Sequence, residues 1–184
     1  MDAQLTRLES ERGTTLVETV IAAALLLVVM VGLLSMAALA TVYTENHGHL
    51  EARTTEYAQD KMEQLLAVAF TDAVTDTTQF PAIAAPTTGS GLAVGGSVDP
   101  AAPVDTYVDW LAYNGDLKGG GTTQPADWYY ERVWYICYVQ PAGTCDTATA
   151  TGLKQITVVT TVRTSVGRAI IPKSTVSALK ASQF

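Results

Sequence analysis

Apolar and charged residues follow two successive patterns in the first part of this chain. Residues 19–44 carry no charge, and their apolar side chains would cover every face of a helix. Residues 45–70 then have apolar residues at helical spacing with charged residues between them. We therefore expect one helix over about residues 14–69, with residues 14–44 embedded in a membrane and residues 45–70 packed by one face on a domain.

The rest of the chain predicts strands after a long connection. Residues 71–105 contain four prolines and four glycines, so we expect a flexible loop there. Asn114-Gly115 predicts a turn, and the glycines at 119–121 predict a hinge. The predicted fold is α+β, with an antiparallel sheet of about three to five strands within residues 106–184 packed on the helix. The strands are expected at 106–113, 128–139, 153–164 and 169–179, the last two forming a hairpin around Val166-Gly167.

The start of the apolar run carries the strongest functional signal. A short polar leader, residues 1–13, ends in Gly13, and Thr14-Thr15-Leu16-Val17-Glu18 follows directly. A carboxylate at the start of an apolar run long enough to span a membrane calls for a functional explanation, because an unpaired charge in lipid costs about 2.5 kcal/mol or more. This arrangement resembles the cleavage site of type IV prepilins, although that family usually has Phe at the position of Thr14.

The resemblance implies a route of processing and assembly. The prepilin peptidase/methyltransferase would cut between Gly13 and Thr14 and methylate the new amine of Thr14. Glu18 would then pair with the Thr14 amine of a neighbouring pilin subunit, a bond strengthened by low dielectric. The chain would lie in the inner membrane as a single-pass protein with an extracytoplasmic C-terminal domain before it joins a cell-surface pilus or a periplasmic pseudopilus.

Three functional classes remain open at this point. The chain's size, leader and loop favour a minor pilin, a structural subunit of a type IV pilus. A pseudopilin of a type II secretion system has the same anchor and layout. In the third class, a secreted or signal-anchored binding domain with no filament role, the apolar run acts as a signal or an anchor. Ala38-Leu39-Ala40 fits a general signal peptidase site before Thr41, but the run is long for a signal peptide.

Cys137 and Cys145 are the two cysteines of the chain. An even number of cysteines in an exported protein favours a disulfide, so we expect them to be joined. The alternative is a pair of buried free thiols. A metal site is disfavoured, since both histidines are far away in sequence.

Charge and motif content disfavour other classes. The formal net charge is −7 and no basic cluster occurs, so we expect no nucleic-acid partner. No nucleophile elbow, phosphate-binding loop or metal-ligand cluster is present, and we expect neither enzymatic activity nor a cofactor. His47 and His49 are interpreted as solvated residues beside the membrane. Five aspartates lie in a loop-rich region, but their spacing matches no known calcium loop: Asp99, Asp105, Asp109, Asp116 and Asp127.

The aromatic segment 128–138 predicts a central strand rather than a ligand platform. Alternation gives two faces, neither clearly polar. One face carries Trp128, Tyr130, Arg132, Trp134 and Ile136, and the other carries Tyr129, Glu131, Val133, Tyr135 and Cys137.

Overall fold

The computed structural model describes residues 16–83, 89–163 and 171–182. Its single long helix, α1, covers Leu16–Ala67, which confirms the predicted N-terminal helix and ends it two residues before the expected position. The chain divides into two compact units, with the boundary between Glu45 and Asn46. The second unit contains the end of α1 and all the strands.

Among the described residues seven strands follow α1, and every pairing among them is antiparallel. Five form a continuous sheet in the order β3-β2-β4-β6-β7, and the two-residue strands β1 and β5 each pair with β4. The predicted α+β class is confirmed. The strands are β1 Gly95–Gly96, β2 Val108–Leu111, β3 Leu117–Gly120, β4 Tyr130–Val139, β5 Cys145–Asp146, β6 Leu153–Val162 and β7 Lys173–Ala181.

The aromatic segment does form the centre of the sheet. β4 pairs with β2 and β1 on one side and with β6 on the other, in a register that places Arg132 opposite Asp109 and Thr160. β6 and β7 pair over their full length as predicted, and the turn expected at Val166-Gly167 lies outside the described residues.

Two expectations differ from the structure. The glycines at 119–121 were expected to form a hinge, yet Leu117–Gly120 is strand β3, paired with β2. β3 is an edge strand that contributes few side chains to the core, so glycines are tolerated in it. Residues 71–105 contain strand β1 and a bridge between Asp76 and Ile83, and Leu92 is fully buried there.

Buried side chains line both faces of the sheet. On the face that packs against the end of α1, the helix contributes Ala58, Met62 and Leu65 to a cluster with Leu92, Tyr107, Trp134, Ile136, Ile156 and Val158. A neighbouring cluster contains Leu50, Tyr57, Leu111, Tyr130 and Val162. The opposite face, called the outer face below, carries Val108, Trp110, Val133 and Val159.

Candidate functional site

The first half of α1 presents apolar side chains on all sides. Every described residue of the first unit, 16 to 45, is exposed, and the first buried side chain of the helix is Leu50. The helix is long and apolar enough, by length and composition, to cross a membrane. An exposed apolar surface of this size is typical of segments that contact lipid or other protein.

The serine and threonine hydroxyl groups of this apolar segment bond within the helix. Thr19, Ser35, Thr41 and Thr44 each donate to a carbonyl three or four residues earlier, at 2.8–3.0 Å. In lipid a hydroxyl has no water to bond, so such local partners remove the cost of burying it. The segment is therefore suited to a nonpolar surrounding on every side.

Glu18 lies in the first turn of α1 and is exposed. A helix N-terminus carries a partial positive charge, which favours a carboxylate at this position. The predicted processing residues, Gly13 and Thr14, lie outside the described residues.

A buried ion cluster joins the second half of α1 to the sheet. Lys61 of α1 contacts Asp109 of β2 at 2.6 Å, with side chains 1% and 0% exposed. Arg132 of β4 holds the same carboxylate by two bonds, from Nε at 2.7 Å and from Nη2 at 2.9 Å. Arg132 also reaches back to α1, donating to Asp60 at 2.8 Å and to the carbonyl of Tyr57 at 3.3 Å.

The charges of this cluster balance one another. Burial lowers the pKa of Lys61 to about 8, against the opposing attraction of Asp109. Burial also pushes the pKa of Asp109 upward, but the charges of Arg132 and Lys61 outweigh it and hold that pKa below its usual value. Lys61 in addition donates to the carbonyl of Thr77 and lies 4.3 Å from the centre of the Trp134 ring. The cluster fixes the helix against the sheet.

A buried acidic residue, Glu131 of β4, lies on the outer face, apart from the ion cluster. Glu131 is 4% exposed, and its Oε1 atom accepts no hydrogen bond from the described residues. Burial, reinforced by the negative charge of Asp99, raises the pKa of Glu131 to about 7. This carboxyl group, on the second residue of the central strand, is thus poised to titrate near neutral pH.

The predicted disulfide is present. Cys137 of β4 and Cys145 of β5 are joined, with a Cα–Cα distance of 5.5 Å. The bond fastens the short strand β5 to the end of β4.

Other predicted polar residues do not converge on a ligand. No group of three or more His, Cys, Asp or Glu side chains able to hold a metal occurs among the described residues. His47 lies 3.2 Å from Glu51 one turn along α1. Asp109, assigned above to a loop-rich region, instead lies in β2 and is fully buried, because Arg132 and Lys61 supply its counter-charges.

The aromatic residues mostly pack on each other. Tyr57 and Tyr130 meet edge to face at 4.9 Å, and Trp110 and Trp128 do the same on the outer face. This agrees with the interpretation of the segment as sheet packing. Trp128 and Tyr129 nevertheless lie on the faces opposite to those predicted, because β4 and its alternation begin at Tyr130.

Several charged residues that matter most were not singled out from the sequence. Lys61 was one of the charged residues between the apolar positions of residues 45–70 and was given no role, yet it is buried. The sequence did contain a signal for this burial, since Lys61 directly precedes the apolar Met62. A lysine at the edge of the apolar face of a helix needs a charged partner if that face is buried. Arg132 was placed on the correct face, and its partner in β2 was not identified.

Neither the comparison with protein-family models nor the searches among curated proteins and solved structures found a match to this chain.

Proposed function

We propose that this protein is a minor pilin-like structural subunit of a type IV pilus. It would assemble through α1 after a prepilin peptidase cuts between Gly13 and Thr14. The observation that supports this most is the division within α1, whose first half is apolar and exposed all round while its second half packs by one face on a sheet. A helical filament buries such first halves against one another in its centre.

Glu18 is the proposed assembly residue. In the membrane it would lie near the surface, at the start of the apolar run, and in a filament it would face the methylated amine of Thr14 on a neighbouring subunit. A buried carboxylate and ammonium attract strongly at low dielectric, and an unpaired one is costly. The pairing would therefore fix the axial position of one subunit relative to the next.

The extracytoplasmic domain suits a subunit that must resist pulling. Tension along α1 would act on the contacts between the helix and the sheet, and these include the fully buried pair Lys61–Asp109 and the bonds from Arg132 to α1. Separating them would leave charges in an apolar setting, which costs several kcal/mol. This supports a structural role for the domain.

The N-terminus of the protein isolated from membranes tests the proposal. A chain beginning at N-methylated Thr14, identified by intact mass and N-terminal peptide analysis, is the expected result. Gly13→Leu should block cleavage and leave the full-length precursor in the membrane. A chain beginning at Thr41 would instead establish a secreted protein, and an uncut Met1 would establish a simple anchored ectodomain.

A pseudopilin of a type II secretion system has the same processing and differs in its destination. Mechanical shearing of intact cells releases surface pili and leaves a periplasmic pseudopilus behind. Recovery of the mature chain in the sheared fraction is the result that the pilus assignment requires.

A further inference from the structure

A row of polar side chains crosses the sheet on the face that packs against α1. Its four members lie directly opposite one another on neighbouring strands: Asp109 of β2, Arg132 of β4, Thr160 of β6 and Ser174 of β7. Residues opposite one another in antiparallel strands point to the same face, so all four face α1. Asp109, Arg132 and Thr160 are buried, and Ser174 is half-buried. This set is called the polar row below.

The polar row divides the apolar contact between α1 and the sheet into two parts. On β4, Tyr130 before Arg132 belongs to the cluster that contains Leu50, and Trp134 after it belongs to the cluster that contains Met62. These are called the Leu50 cluster and the Met62 cluster. The segments around β2 and β6 repeat this order: Leu111 and Tyr107 flank Asp109, and Val162 and Val158 flank Thr160. Two separate apolar contacts therefore hold α1, with a polar layer between them.

The first segment of α1 on the sheet, residues 46–57, offers uncharged groups to it. The segment contributes two side chains to the Leu50 cluster. The hydroxyl oxygens of Thr54 and Thr55 lie 3.1 and 2.7 Å from the Oγ atom of Ser174. Hydrogen bonds between neutral groups add little net stability, because water replaces them when the segment leaves.

The second segment, residues 58–67, carries the charged contacts. Lys61 lies 2.6 Å from Asp109, and Asp60 lies 2.8 Å from Arg132. The segment also supplies three side chains to the Met62 cluster. Separating a buried ion pair leaves charges without partners, so the second segment is harder to detach than the first.

Release of the first segment leaves the ion cluster in place. Arg132 would lose its bond to the carbonyl of Tyr57, the last residue of that segment. Its bonds to Asp109 and Asp60 remain, because Asp60 belongs to the second segment. The charges of the cluster thus keep their partners after the first segment has left.

We propose that α1 leaves the sheet in two stages, with the polar row as the boundary between them. Residues 46–57 separate first and expose the Leu50 cluster, while residues 58–67 stay on the sheet until the ion cluster breaks. A pull on the N-terminal side of α1 reaches residues 46–57 first, so the domain extends before it unfolds. The two stages are a property of the domain and do not depend on the filament role proposed above.

Thiol labelling of the full-length chain in detergent micelles tests the two stages. Thr54→Cys and Ala58→Cys place one reporter in each segment, at positions that are both 0% exposed. The native cysteines are joined to each other and do not react. We expect Thr54→Cys to be labelled at least about tenfold faster than Ala58→Cys, after correction for the rates of the unfolded chains, because it needs only the first opening.

Lys180→Met distinguishes two openings from one. Lys180 of β7 donates to the carbonyl of Leu66, so its loss weakens the hold on the second segment alone. In this background labelling of Ala58→Cys should become about fivefold faster or more, and labelling of Thr54→Cys should not change. Lys173→Met, at an exposed position on the same strand, is the control and should change neither rate.

Equal corrected labelling rates at positions 54 and 58, or a faster rate at 58, would overturn the proposal. Equal acceleration of both positions by Lys180→Met would do the same, because a single opening would then expose both. If a cysteine variant does not fold, hydrogen exchange on the unsubstituted chain decides. Residues 46–57 should then be at least about tenfold less protected than residues 58–67, and equal protection contradicts the two stages.

Discussion

Lys154 and Lys180 lie directly opposite one another on β6 and β7, and Lys180 donates to a carbonyl in the last turn of α1 while Lys154 donates to a carbonyl three residues beyond its end. Lys180 reaches the carbonyls of Leu66 and Val68, and Lys154 reaches those of Phe70 and Leu92. Two like charges in register would repel, but the end of a helix carries a partial negative charge and open carbonyls. The last turn of α1 contains no basic residue, so the sheet supplies its cap.

Replacing Lys180 should therefore destabilise the domain. We expect Lys180→Met to lower the free energy of unfolding by about 1–3 kcal/mol, because the carbonyl of Leu66 loses a charge-assisted donor. Urea unfolding followed by tryptophan fluorescence measures this. Lys173→Met, an exposed residue on the same strand, is the matched control and should change stability by less than about 0.5 kcal/mol. Equal losses in both variants would show that the cap has no stabilising effect.

The buried ion cluster predicts a larger loss. Asp109→Asn removes the carboxylate that Lys61 and Arg132 share, and leaves both cations buried with one acid fewer. We expect a loss of about 3–5 kcal/mol in the free energy of unfolding. Asp60→Asn, at a side chain 54% exposed that also bonds Arg132, should cost less than about 1 kcal/mol. A similar small cost for Asp109→Asn would mean that water replaces the lost carboxylate.

The disulfide should contribute to stability through the short loop that it closes. Under non-reducing conditions, alkylation should label neither Cys137 nor Cys145. The double replacement by serine should lower the free energy of unfolding by about 2–3 kcal/mol. Labelling of both residues in the native protein would contradict the bridge.

Stability should also fall as the pH rises through neutrality. The pKa of Glu131 is raised by burial, so the folded protein holds a proton that the unfolded chain releases between about pH 4.5 and pH 7. The penalty at pH 8 relative to pH 5 is at most about 2–3 kcal/mol. Thermal unfolding should show a higher melting temperature for Glu131→Gln than for wild type at pH 8, and nearly equal values at pH 5. If the melting temperatures of the two proteins differ by the same amount at both pH values, the difference arises from packing and not from the titration of Glu131.

The parts of the fold that follow from local patterns were predictable. The uncharged run and the amphipathic stretch after it predicted α1, because side-chain periodicity reports which face is buried. The aromatic run predicted β4, and the strand signals at 153–164 and 169–179 predicted β6 and β7. β3 was missed, since Leu117-Lys118-Gly119-Gly120 has low strand propensity and is held by pairing with β2.

The charged contacts depend on pairings between distant segments, and the pattern of one segment does not contain them. Asp109 and Arg132 meet because β2 and β4 are in register, and Lys61 joins them only because that face of α1 packs there. Lys180 meets Leu66 for the same kind of reason. The disulfide between Cys137 and Cys145 was easier to predict, since two cysteines allow a single intramolecular pairing.

Glu18→Gln separates anchoring from assembly. The change removes the charge and keeps the size, so a lone membrane helix should tolerate it and insert at least as well as wild type. In a filament the amine of Thr14 on the neighbouring subunit would lose its counter-ion, and breaking one partner of a buried pair costs about 3–5 kcal/mol. We therefore expect normal leader cleavage and membrane insertion, with strongly reduced protein in the sheared-pilus fraction. Glu45→Gln makes the same replacement at the other end of the apolar run and should assemble like wild type. If Glu18→Gln partitions into the sheared fraction as wild type does, Glu18 has no pairing role, whether or not the protein is a pilin.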